Sequence, residues 1–225
     1  MAPTGARVKI TRVDRWSHVQ RLTRATQYSR IITSECGSNL VTEQKDREEL
    51  LQRIIDIELR MFLAVEPSIP SACQEQPETF KMMRKASFYV LSNETLESYL
   101  RDLQEALEEN RNLMELKYAR IDDLIPCLND NPIIDEIVEV EGNWLKELAE
   151  RYPLTFKGRA EYAAGVYLRS ELETYSNETL DLYFKDVSKA IEEGRNLTEE
   201  RYTFIFRQTG YDSIDDMEIE RKKAQ

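Results

Sequence analysis

The chain has 225 residues, a formal net charge of −11, 41% apolar residues and a single histidine, His18. That apolar share supports one substantial core or two small ones and excludes a disordered chain. The negative charge disfavours non-specific attraction to nucleic acid or anionic lipid. One histidine, lying in a basic stretch, excludes histidine-rich metal sites and catalytic machinery built on two histidines.

The chain opens on a basic arm, residues 1–45, in which Arg7, Lys9, Arg12, Arg15, Arg21, Arg24 and Arg30 meet only Asp14 before Glu35. The arm has two readings: it lies on the more acidic body, or it is an Arg-rich mitochondrial targeting segment. An RNA-dependent role would also use it, and would show as steep salt dependence. No apolar run reaches the roughly 18 residues that span a bilayer, and no short apolar block of a secretory signal is present. Cys36, Cys73 and Cys127 are odd in number and irregular in spacing, so they predict neither a disulfide framework nor a zinc site. The expectation is a soluble intracellular protein, cytoplasmic unless the arm directs it to mitochondria.

Next comes a helix whose apolar stripe runs through Leu51, Ile54, Ile55, Met61 and Phe62. Glu58 falls on that stripe. A proline-bearing loop follows, with Pro67, Pro70 and Pro77 around Cys73 and Gln74, and then a second helix carrying Arg84. A third helix has its apolar face at Leu96, Tyr99, Leu100, Leu103, Ala106 and Leu107.

The third helix leads into a corner that the chain uses twice. Residues 92–118, SNETLESYLRDLQEALEENRNLMELKY, align without a gap on residues 176–202, SNETLDLYFKDVSKAIEEGRNLTEERY, with about half the positions identical. Asn110 and Gly194 are the residue types that best accept the left-handed conformation ending a helix. Asn112 and Asn196 then cap the next helix, with Glu115 and Glu199 placed for a capping box. Arg111 and Arg195, between stop and start, are expected to pair with acids or helix-end carbonyls.

Residues 125–132, IPCLNDNP, link to a second copy of the pattern. The stretch IIDEIVEVEGNWL (133–145) matches LLQRIIDIELRMF (50–62), which puts Glu141 on a stripe of Ile134, Ile137, Val138, Trp144, Leu145 and Leu148. A helix with Arg169, Glu171 and Tyr175 at its end follows, then the repeat helices with Leu180, Tyr183, Phe184, Val187, Ala190 and Ile191 on the apolar face. The expected fold is all-α, with about eight helices in tandem duplicated four-helix units, packed as one pseudo-twofold domain. Residues 46–130 form the first half, 131–212 the second, and 213–225 a charged tail.

Two acids on apolar stripes need partners, because a desolvated carboxylate is costly unless paired, bonded, bound to a cation or protonated. Two readings stand. In one, Arg84 and Arg169 close internal ion pairs with the two glutamates, which are then structural. In the other, Glu58 and Glu141 share a pocket across the pseudo-axis and serve general acid–base work or a cationic ligand. A ferritin-like dinuclear site would need Glu-x-x-His motifs, which are absent. A carboxylate-and-water magnesium or manganese site is a third reading, for which the spacing offers no specific signature, and no cofactor is specified.

Cys73-Gln74, Thr79-Phe80, Met83-Arg84, the run SYLRDLQEALEENRNL with KYARI, and YLRSELETYSNETL together resemble the family catalogued as domain of unknown function 4125, over about residues 46–212. The chain departs from the pattern at Asn110, where glycine is expected as at Gly194. The resemblance implies no activity and transfers no catalytic role. The leading expectation is a small-molecule enzyme with Glu58 and Glu141 as the acid–base or cation-binding pair. Arg84, Arg169, Cys73, Gln74, Glu171 and Tyr175 then contact its substrate. The competing expectation is a non-catalytic helical module that binds a protein or metabolite.

Overall fold

The structure is a computed structural model that describes residues 43–65, 75–156 and 161–224. The described residues from Glu49 onward form one compact unit. Among the described residues there are nine α-helices and no strand. They are α1 (43–63), α2 (Pro77–Tyr89), α3 (Asn93–Glu108), α4 (Leu113–Ile121), α5 (Ile133–Arg151), α6 (Glu161–Leu172), α7 (Asn177–Glu192), α8 (Leu197–Gln208) and α9 (Ile214–Lys223). No described helix is long and apolar enough to cross a membrane. The basic arm before residue 43, and with it His18, lies outside the described residues.

The helix boundaries follow from cap chemistry. Ser92 Oγ accepts the Thr95 amide at the start of α3, and Ser176 Oγ accepts the Thr179 amide at the start of α7. Asn112 Oδ1 accepts the amides of Met114 and Glu115, and Asn196 Oδ1 accepts that of Glu199. Before each of these asparagines the chain turns through the left-handed region, at Asn110 (φ 54°) and at Gly194 (φ 66°). The Arg111 amide reaches back to the Ala106 carbonyl at 2.7 Å, and that of Arg195 to the Ala190 carbonyl at 2.8 Å. This is the helix-ending motif expected from the repeated junction. Both asparagines also reach backwards, Asn112 Nδ2 to the Met61 carbonyl of α1 and Asn196 Nδ2 to the Trp144 carbonyl of α5. Arg111 pairs with Glu109, and Arg195 with Glu193 and Glu200, as expected of residues between a stop and a start.

The main core gathers the stripes of α1, α3, α5 and α7, including Ile54, Leu96, Leu103, Ile137, Leu180 and Val187, all inaccessible to solvent. Leu107 and Ile191 depart from their spacing and are half-exposed, 46% and 53%. Each lies in the last turn of its helix, where the chain is already leaving the packed face for the corner. Tyr118 and Tyr202 are half-buried at the margin of the core, and the Tyr118 hydroxyl bonds that of Tyr167 at 3.1 Å.

α3 packs on α7, α2 on α8, α4 on α6, and α5 on α6, α7 and α8. α3 and α7 run antiparallel and exchange caps. Asp186 of α7 accepts the Ser92 amide (2.9 Å) and the Thr95 hydroxyl (2.6 Å) at the start of α3, and Asp102 of α3 accepts the Ser176 amide (3.0 Å) before α7. Between these contacts the hydroxyls of Ser98 and Thr179 meet at 2.7 Å.

Residues 213–225, expected as a charged tail, contain α9. Ser213 caps it, Ile214 is buried, and α9 packs on α8. Its Glu218 accepts the Leu154 and Thr155 amides and the Thr155 hydroxyl, at 3.2, 2.8 and 2.7 Å. These bonds hold the Glu218 carboxyl below its ordinary pKa against the opposing effect of burial.

Candidate functional site

Both stripe glutamates are buried, Glu58 at 0% exposure and Glu141 at 6%. Helical periodicity forces this: each lies within the row of apolar residues its helix turns inward. Their surroundings differ.

Glu58 is closed in. Arg84 Nε and Nη2 donate to its two oxygens at 2.7 and 2.6 Å, and the Tyr99 hydroxyl donates at 2.7 Å. The other edge of the same guanidinium grips Glu171 through Nη1 at 3.0 Å and Nη2 at 2.8 Å. Arg84 is thus a planar fork shared by two carboxylates, with its carbon 4.6 Å above the Phe88 ring. Glu171 also receives Lys117 Nζ at 2.5 Å and the Tyr175 hydroxyl at 3.0 Å. Lys117 lies 4.1 Å over the Tyr167 ring. Burial opposes ionisation of Glu171, but Arg84 and Lys117 outweigh it and hold the carboxyl well below the usual range. Burial draws the Lys117 ammonium below its ordinary value despite Glu171. It pushes the Tyr99 and Tyr175 hydroxyls well above theirs, with Glu58 and Glu171 respectively adding to it, so both remain donors.

Glu141 has a second set of partners. Tyr183 donates to it at 3.0 Å, Thr198 at 2.9 Å, and Arg201 through Nη1; Arg201 Nη2 also donates to the Tyr183 oxygen at 2.8 Å. Burial raises the Tyr183 hydroxyl, and Glu141 adds to it against Arg201. Arg201 Nε is buried and has no hydrogen-bond partner among the described residues.

A cavity of about 450 Å³ lies among α2, α5, α6, α7 and α8. Arg84, Glu171 and Tyr175 contribute to one part of its lining, and Glu141, Tyr183, Thr198 and Arg201 to another. The remaining wall is mainly apolar, with Phe88, Leu91, Val138, Leu145, Leu168 and Ile205, and includes two glycines inside helices, Gly142 and Gly165. The volume falls within the ordinary range for small-molecule sites. Glu58 does not line the cavity; Arg84 stands between it and the void.

The expected site residues therefore divide. Glu141, Arg84, Glu171 and Tyr175 meet around one cavity, and Glu58 anchors Arg84 from behind. The pairing expected between Arg169 and Glu141 does not form. Arg169 is on the outer side of α6, 39% exposed, and pairs with Asp135 at the start of α5. Arg201 takes that place because α8, unlike the outer side of α6, faces Glu141. Cys73 and Gln74 lie outside the described residues.

Sequence reasoning missed Lys117, Thr198 and Arg201 as site residues, and read Tyr99 and Tyr183 only as apolar-face positions. A signal was present. In the repeat alignment Tyr99 falls on Tyr183 and Lys117 on Arg201, so each copy keeps a hydroxyl and a cation at matched helical positions. Among the described residues no group of three or more His, Cys, Asp or Glu side chains is placed to hold a metal ion.

A family model described as protein of unknown function (DUF4125) matches residues 48–219, most of the chain, and the chain belongs to that family. No match was obtained among curated proteins or among solved structures.

Proposed function

We propose that this chain, a member of the DUF4125 family, is a small-molecule enzyme whose site is the cavity among α2, α5, α6, α7 and α8. Glu141 is its acid–base group, or the group that binds a cationic end of the substrate. Arg201, Tyr183 and Thr198 set the position of that carboxylate, and Arg84, Glu171 and Tyr175 orient the rest of the substrate. Glu58 is a positioning residue that acts through Arg84. The observation that carries this reading is a buried carboxylate, Glu141, on the wall of a cavity large enough for a metabolite.

The same reading takes the two repeat halves as pseudo-twofold partners, with the cavity between them. Three matched contacts support it: the exchanged caps of α3 and α7, the two corner asparagines reaching back to Met61 and Trp144, and the Tyr99–Glu58 and Tyr183–Glu141 hydrogen bonds. The cation at position 117 or 201 follows the same relation but has diverged. Arg201 meets Glu141, whereas Lys117 meets Glu171.

A second reading, a non-catalytic module that binds a metabolite, is favoured by the sealed Glu58–Arg84 pair. Glu141→Gln separates the two. The enzyme reading expects Glu141→Gln to stay folded and to lose turnover by about a hundredfold or more on a substrate identified from metabolites co-purifying with the full chain. A folded Glu141→Gln variant with unchanged turnover overturns it. The module reading expects Glu141→Gln to change affinity alone.

A further inference from the structure

Gly142 and Gly165 sit inside α5 and α6 with no left-handed backbone to require glycine. Glycine within a helix weakens it relative to alanine, because it loses more backbone freedom on folding. Packing does not explain the choice. A Cβ added at Gly142 would meet nothing within 4 Å among the described residues, and one at Gly165 would make only an ordinary contact, 3.8 Å from Val138 Cγ1. Both glycines line the cavity. What their missing methyl groups preserve is room against bare helix backbone, which is one of the uses of glycine beside a ligand.

The charges around this space balance. Arg84, Lys117 and Arg201 oppose Glu58, Glu141 and Glu171, and each of these carboxylates is held by at least one of the cations. A ligand ion of either sign would enter a mainly apolar cavity with no uncompensated counter-charge, and would lose its hydration without an equivalent return. A ligand whose own charges sum to zero pays no such penalty, and its donors and acceptors can use Glu141, Arg201 and Tyr175.

Building on the proposed small-molecule site, we infer that the cavity selects a net-neutral amphiphile, either uncharged or zwitterionic. Its apolar body lies along the backbone at Gly142 and Gly165, and its polar end sits at the Glu141–Arg201 pair. The substrate class is thus an alcohol, amide or amino-acid-like molecule with an apolar or aromatic body, and not a simple acid or amine.

The test uses the full chain and four compounds that share one phenyl body: 3-phenylpropanol, phenylalanine, 3-phenylpropionate and 3-phenylpropylamine. Affinities come from ligand-observed NMR at pH 7. The alcohol or phenylalanine is expected to bind at least about tenfold tighter than the acid and the amine. Gly142→Ala is expected to raise the thermal midpoint while weakening that binding severalfold, and Gly142→Leu to abolish it. If the acid or the amine binds tightest and Gly142→Leu removes that binding, the charge inference is overturned while the cavity remains a small-molecule site. If none of the four binds at about 10 mM, the ligand class is overturned. Binding that survives Gly142→Leu unchanged locates the compound elsewhere and sinks the cavity reading itself.

Discussion

Replacing Glu58 with glutamine would leave the inner edge of the Arg84 fork facing a neutral amide in a dry core. Removing one partner of a buried charge pair costs about 3 kcal/mol or more, which urea unfolding would register as a lower midpoint with an unchanged slope. Glu171 makes a pH-dependent contribution whose sign is fixed by its depressed folded pKa. Between that value and the ordinary 4.5, the unfolded chain binds a proton that the folded chain does not, so the stabilisation is complete above pH 4.5 and falls away below it. Wild type should therefore lose more stability than Glu171→Gln between pH 7 and pH 3, as measured by urea unfolding. At the first corner, Asn110→Gly should stabilise by about 0.5 kcal/mol, and Gly194→Ala at the second should cost about 1 kcal/mol. These corner residues were legible because a left-handed stop and a side-chain cap are local chemistry. The burial of Glu58 and Glu141 was legible from period alone. Arg201 was not, since periodicity names the face a residue occupies and not the helix it will meet; Arg169 was assigned to Glu141 for the same reason.

The helices themselves declare their starts and stops, and α3, α4, α7 and α8 follow the serine, asparagine and glycine signals closely. The C-terminal helix α9 escaped notice because its sequence, IDDMEIERKK, is mostly charged and offers few apolar positions to a periodicity argument. Its attachment depends on Ile214 and on Glu218 accepting two backbone amides, which no sequence pattern signals. Deleting residues 213–225 should expose the pocket of Ile214 and leave the Thr155 amide without its acceptor. Together these should cost about 3 kcal/mol, seen as a drop in the chemical denaturation midpoint. The cavity should widen little, since α9 contributes no residue to its lining.

At the scale of the molecule, the repeat made an all-helical chain legible, but the cavity emerges only when five helices come together. It is asymmetric because Glu171 and Tyr175, which join Arg84 and Lys117, have no acidic or phenolic counterpart at the matching Ser87 and Leu91. The exchanged caps of α3 and α7 bear on how the protein comes apart. Asp186 accepts the Ser92 amide before one helix and Asp102 the Ser176 amide before the other, so fraying either helix strips a cap contact from its neighbour. Neither can melt alone without penalty. Hydrogen exchange should find their amide protons opening as a single event with a shared free energy, and Asp186→Ala should speed exchange in both helices rather than only in the one whose start it guards.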